Sequence, residues 1–128
     1  MRREQVLDAA RRNPFRLATF ATLAIVLALL VPMTEQIQLG PLLSLMHIPM
    51  FALLVLLWMH ALTRKWLGTA AAVVMCLAVG TTLAVGTEVL QYWIPGRWPS
   101  VADVVRNLLG LLLGIGVFFW LGLERRRN

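Results

Sequence analysis

The chain has 128 residues, 59% hydrophobic and only 14% charged, with a mean hydropathy of +0.76. A soluble domain of this size carries about 45–50% apolar and about 25% charged residues, so the composition excludes an ordinary soluble fold and indicates an integral membrane protein. The net charge of +6 would suit a nucleic-acid binder, but the basic residues cluster in the tails and one short loop, where membrane topology and anionic headgroups select for them; no nucleic-acid partner is expected.

In chain order, a basic amino-terminal tail with Arg2, Arg3, Arg11, Arg12 and Arg16 leads into an apolar block at residues 17–33. That block has the basic and apolar regions of a signal sequence but no small-x-small cleavage site after it, so it reads as an uncleaved anchor. Three further apolar blocks follow at 42–62, 66–93 and 102–123. About 20 helical residues cross a hydrocarbon core, with a range of about 17–25. The expected fold is therefore an all-α membrane protein, a single domain over residues 1–128 with four transmembrane helices.

Orientation follows from the loops. Thr63-Arg64-Lys65 and the tail Glu124-Arg125-Arg126-Arg127 are basic, the 34–40 loop has no Lys or Arg, and the 94–100 loop has only Arg97. Both termini then face the cytoplasm of an inner membrane. Trp58, Trp66 and Trp120 fall near the inner interface and Tyr92, Trp93 and Trp98 near the outer one, as an aromatic belt requires. The single cysteine, Cys76, lies within an apolar run and reads as a small hydrophobe.

The polar residues between the third and fourth blocks are the chemically informative part. Glu88 and Gln91 end the third helix, Arg97 lies in a Pro95-Gly96-Arg97-Trp98-Pro99 turn, Asp103 and Asn107 begin the fourth helix, and His47 begins the second. Ionisable groups at membrane depth are expensive and point to function by default. At about 100° per residue, Asp103, Asn107, Gly110 and Gly114 form one narrow stripe, while Thr81, Ala84, Glu88 and Gln91 form another within about 80°. Small residues along both stripes predict a close-packed hairpin of the third and fourth helices with a shared polar mouth.

Each residue also has a plainer reading. Ser100 to Asp103 is a variant of the capping box, so Asp103 reads equally as a cap. Arg97 reads as a snorkelling surface cation, and Gln91 and Asn107 as interhelical glue. Arg106 reads as an i, i+3 partner of Asp103 and is left outside the site. Glu88 resists such a reading, because a carboxylate within an apolar helix needs a partner, for which Arg97, His47 and Gln91 are the candidates.

Together these residues resemble the VanZ-like family of small bacterial membrane proteins. That family's pattern is E-x-x-Q, a P-x-R-like turn and D-x-x-x-N-x-x-G, matched here by Glu88, Gln91, Pro95, Arg97, Asp103, Asn107 and Gly110. An upstream histidine four residues before an aromatic is similar to His47 with Phe51, although Leu43 and Ser44 stand where relatives often carry Asp-Lys and Phe51 replaces the usual Tyr. The resemblance implies a role at the cell envelope and a link to low-level resistance to the glycopeptide teicoplanin.

The expected partner is thus a membrane lipid or lipid-linked envelope molecule at the outer leaflet. Glu88 and Asp103 are the acid/base candidates, with His47 as a further one, and Gln91, Arg97 and Asn107 the substrate-binding candidates. No cofactor and no metal is expected, since neither H-x-x-x-H nor H-E-x-x-H spacing occurs. An ion- or proton-coupled transporter subunit and a non-enzymatic scaffold are the alternatives.

Overall fold

A computed structural model describes residues 13–32 and 40–127; residues 33–39, which include most of the loop between the first two apolar blocks, and most of the basic amino-terminal tail lie outside them. Among the described residues, regular structure is helix only: α1 (Pro14–Leu30), α2 (Gly40–Leu45), α3 (His47–Lys65), α4 (Thr69–Gln91) and α5 (Val101–Arg127). Three segments are long and apolar enough to cross a membrane, namely Gly40–Arg64, Thr69–Gln91 and Val101–Gly122, and the apolar α1 is shorter at 17 residues. Their outer faces are strongly apolar, with Phe20, Leu27 and Val74 exposing 69%, 66% and 67% of their surface. Such faces are tolerable only against lipid.

The helix boundaries have local causes. Pro14 opens α1 at a position where its missing N–H costs nothing. Val31 turns extended just ahead of Pro32 and ends it. The second span is broken into α2 and α3 at Met46 because Pro49 cannot donate to the Leu45 carbonyl and its ring crowds it. Trp66 and Leu67 both donate to the Leu62 carbonyl, at 2.9 and 3.0 Å, which closes α3 and delays α4 to Thr69. The apolar block at 66–93 is therefore trimmed at both ends.

Between α4 and α5 the chain reverses through Ile94-Pro95-Gly96-Arg97, with Arg97 N–H donating to the Ile94 carbonyl at 3.1 Å and Gly96 at φ 75°. Proline followed by a positive-φ glycine is the chemistry of a type II turn.

The hairpin of α4 and α5 forms, but it is not the tightest contact in the bundle. That contact is α5 on α3. A Cβ at Gly110 would stand 2.9 Å from the Cβ of Phe51, and one at Gly114 would stand 3.0 Å from the Cα of Ala52. The glycine stripe of α5 thus admits the backbone of α3 rather than that of α4, because α4 presents Gly80 to the side chain of Leu111 instead. Phe51, Val55, Met59 and Leu111 fill the resulting core. In lipid such close packing and interhelical polar bonds, not water exclusion, hold helices together.

Helix α1 packs on α3 and α4 and not on α5. Its amino-terminal end is held by aromatic contacts of Phe15 with Trp58 and Trp66, at centroid distances of 6.1 and 5.4 Å. Trp58 also donates its indole N–H to Thr22 Oγ1 at 2.9 Å, so this tryptophan serves the α1–α3 contact, whereas Trp66 and Trp120 are exposed.

Candidate functional site

His47, Glu88 and Asp103 come together from three different helices, with one nitrogen or oxygen from each lying within 4.8 Å of the others. The residues are 4%, 3% and 9% exposed. Asn107, one turn along α5 from Asp103, is fully buried.

Each of the three is oriented by a hydrogen bond, which in His47 and Glu88 leaves another polar atom without a partner. His47 Nδ1 lies 3.0 Å from the Ser44 carbonyl. A carbonyl only accepts, so Nδ1 carries a proton and Nε2 is the ring atom left to face Glu88. The Pro49 break in the second span places His47 at the first position of α3, within reach of that carbonyl.

Glu88 Oε2 accepts the backbone N–H of Ser100 at 2.9 Å. In a capping box that N–H would go to the acidic side chain three residues on, here Asp103. Glu88 takes that place from the neighbouring helix, and Asp103 pairs with the Arg106 guanidinium instead. Half of the capping reading survives: Asp103 N–H approaches Ser100 Oγ at 3.4 Å.

The free atoms then face one another. Glu88 Oε1 and His47 Nε2 are 3.9 Å apart, beyond hydrogen-bond reach. Both are buried without a partner, as are Oδ1 and Nδ2 of Asn107. Unpartnered buried polar atoms cost about 1–3 kcal/mol each, so four on His47, Glu88 and Asn107, the last one turn from Asp103, are an unusual concentration.

Gln91 and Arg97 are not part of this cluster's bonding. Gln91, 2% exposed, donates Nε2–H to the Leu29 carbonyl at 3.1 Å. Arg97 donates from Nε to the Val31 carbonyl at 2.9 Å and from Nη2 to the Ala28 carbonyl at 3.2 Å. Together they satisfy carbonyls that the end of α1 leaves open, and the guanidinium sits at the negative end of that helix dipole. Glu88 therefore takes Ser100 and His47 as neighbours, and neither Arg97 nor Gln91 hydrogen-bonds to it.

Sequence reasoning left Arg106 outside the site, yet it holds Asp103 in place. It also gave no weight to the backbone of Ser44 and Ser100, which orient His47 and Glu88. For Arg97 and Gln91 a signal was available: α1 ends in Val-Pro with no Gly or Asn to close it, so its carbonyls need outside donors.

Glu88 also faces outward. A groove of about 350 Å³ between α4 and α5 is lined by Glu88 and Ser100 together with Val89, Tyr92, Trp93 and Val104. Its walls are otherwise apolar and aromatic, so a polar group and an acyl chain can be accommodated side by side. A separate crevice of about 90 Å³ between α3 and α4, beside Cys76, has a mostly apolar lining.

No curated protein and no solved structure matches the chain. A family model described as VanZ/LLP1 does match it, over residues 3–122, which takes in α1 to α4, the turn and the apolar length of α5. The chain is therefore a membrane-spanning member of the VanZ/LLP1 family.

Proposed function

We propose that this protein binds a lipid or lipid-linked envelope molecule at the outer leaflet of the bacterial cytoplasmic membrane, with the headgroup at the Glu88 mouth. One observation carries the reading: Glu88 lines the α4–α5 groove and also belongs to the buried His47–Glu88–Asp103 cluster. A molecule lying in the groove with its chain along Val89 and Val104 brings its polar end toward the unpartnered acceptors of Glu88 and His47.

Glu88 and Asp103 are then the groups to exchange a proton with a bound headgroup, with His47 beside them. Asn107 offers both a donor and an acceptor for orientation. Arg97, already committed to α1, keeps guanidinium N–H groups that contribute attraction for an anionic headgroup. The basic tails and the Arg64–Lys65 loop support a topology with both termini cytoplasmic, which puts the mouth outside. The family resemblance extends the reading to glycopeptide tolerance.

The test uses Glu88→Gln and Asp103→Asn, substitutions close to isosteric, expressed beside the wild type in a bacterium lacking other family members. Teicoplanin tolerance and lipids retained on purification, read by mass spectrometry, should both fall in variants that insert and fold normally. Unchanged tolerance together with unchanged lipid retention would count against the proposal.

A further inference from the structure

We propose that His47, Glu88 and Asp103 form a binding site for one divalent transition-metal ion, of the Zn2+ or Mn2+ kind, with Asn107 beside it. Their ligand-type atoms lie within 4.8 Å of one another, drawn from α3, α4 and α5. Such proximity of acidic groups alone would mean little. Independent support comes from the unpartnered buried atoms, His47 Nε2, Glu88 Oε1 and both polar atoms of Asn107, in residues no more than 4% exposed.

The outer partners match what metal ligands need. A metal-binding imidazole almost always donates its other ring N–H to a carbonyl or carboxylate, and ligating carboxylates are themselves hydrogen-bonded. His47 Nδ1 is bound to the Ser44 carbonyl, Glu88 Oε2 to the Ser100 N–H, and Asp103 to Arg106. For His47 and Glu88 the unpartnered atom, Nε2 or Oε1, is the one that a cation would use.

Charge points the same way. Two carboxylates meet here, one hydrogen-bonding cation (Arg106) serves Asp103, and the Arg97 guanidinium is bonded to α1 carbonyls. Deep within a bundle of membrane helices, negative charge calls for a counter-charge. A divalent ion supplies it.

Binding requires the three ligand atoms, now within 4.8 Å of one another, to draw together. Ligands at about 2.1 Å around a tetrahedral ion stand about 3.4 Å apart. His47 Nε2 and Glu88 Oε1 are 3.9 Å apart. One imidazole with two carboxylates suits Zn2+ or Mn2+ better than Mg2+ or Ca2+, which favour oxygen alone, and the absence of a thiolate from the set disfavours Cu+. Three protein ligands also leave a position open for water or a headgroup oxygen.

The site shares residues with the proposed lipid mouth but does not rest on it, since metal retention is measured without lipid. Tag-free protein in detergent, stripped with chelator and dialysed against Zn2+ or Mn2+ alone, should retain one ion per chain by elemental analysis and melt at a higher temperature. Co2+ should give visible absorption bands that Zn2+ displaces. Glu88→Gln and His47→Gln should weaken retention by about 100-fold or more, at least the loss seen on removing an outer partner. His60→Gln, on the same helix but more than three turns away, should retain the ion.

If the wild type keeps neither ion stoichiometrically and shows no Co2+ bands, the proposal is overturned whatever the variants do. Preference for Mg2+ or Ca2+ over Zn2+ and Mn2+ would also overturn it. Lipid retention by metal-stripped protein separates this failure from failure of the lipid reading.

Discussion

Arg97 is the residue for which sequence and structure assign different work, and one substitution separates the two. Arg97→Ala removes hydrogen bonds of 2.9 and 3.2 Å to the Val31 and Ala28 carbonyls. Bonds from a charged donor are worth about 1.5–3 kcal/mol each when buried. The guanidinium is only partly buried and water can take over carbonyls at a helix end, so about 2 kcal/mol for the pair is the reasonable figure. Loss of a cation from the negative end of α1 adds about 0.5 kcal/mol.

The expected destabilisation is therefore about 2–3 kcal/mol, measured by denaturant titration in mixed micelles with circular dichroism. Arg97→Lys keeps the charge but loses the fork, and should cost about 1 kcal/mol. Gln91→Leu orphans the neighbouring Leu29 carbonyl, and combined with Arg97→Ala should cost less than the sum, because both hold the same helix end. If Arg97→Ala unfolds like the wild type while lipid retention disappears, the capping argument is refuted and Arg97 is an anion-holding residue.

Gly114→Ala should cost about 1–3 kcal/mol by forcing α5 away from Ala52, whereas Gly116→Ala, with open space around it, should be neutral or slightly stabilising; thermal unfolding of both variants checks the pair. Gly96→Ala places a Cβ at φ 75° and should cost about 1–2 kcal/mol, with Gly96→Asn costing less, by the same measurement.

How much of this was legible in the sequence differs by level. Hydropathy finds every apolar helix, because lipid exposure imposes it on each helix separately. It misplaces the start of α4, since Trp66 and Leu67 are apolar yet fold back on Leu62. The glycine stripe at Gly110 and Gly114 announces a close contact but not its partner, which depends on what α3 and α4 present in return.

The site divides in the same way. Glu88 stands out because no membrane helix carries a carboxylate idly. The exchange by which Glu88 takes the Ser100 N–H while Asp103 turns to Arg106 depends on two helices meeting in register. Local spacing contains no trace of that. For the same reason the chain has no local metal-ligand spacing: the three candidate ligands, His47, Glu88 and Asp103, sit on three different helices.

The shortness of α1 has a consequence for the membrane itself. Its 17 residues rise only about 26 Å, against a hydrocarbon core of about 30 Å. Because Gln91 and Arg97 grip its last turn, the helix cannot slide outward to make up the difference without dragging the turn with it. In a bilayer of that thickness, local thinning around α1 would meet the mismatch at a cost of fractions of a kcal/mol per Å. Thinning at the end that Arg97 and Gln91 hold would bring headgroups and water closer to the depth of Glu88, shortening the path that a polar molecule must travel to reach it.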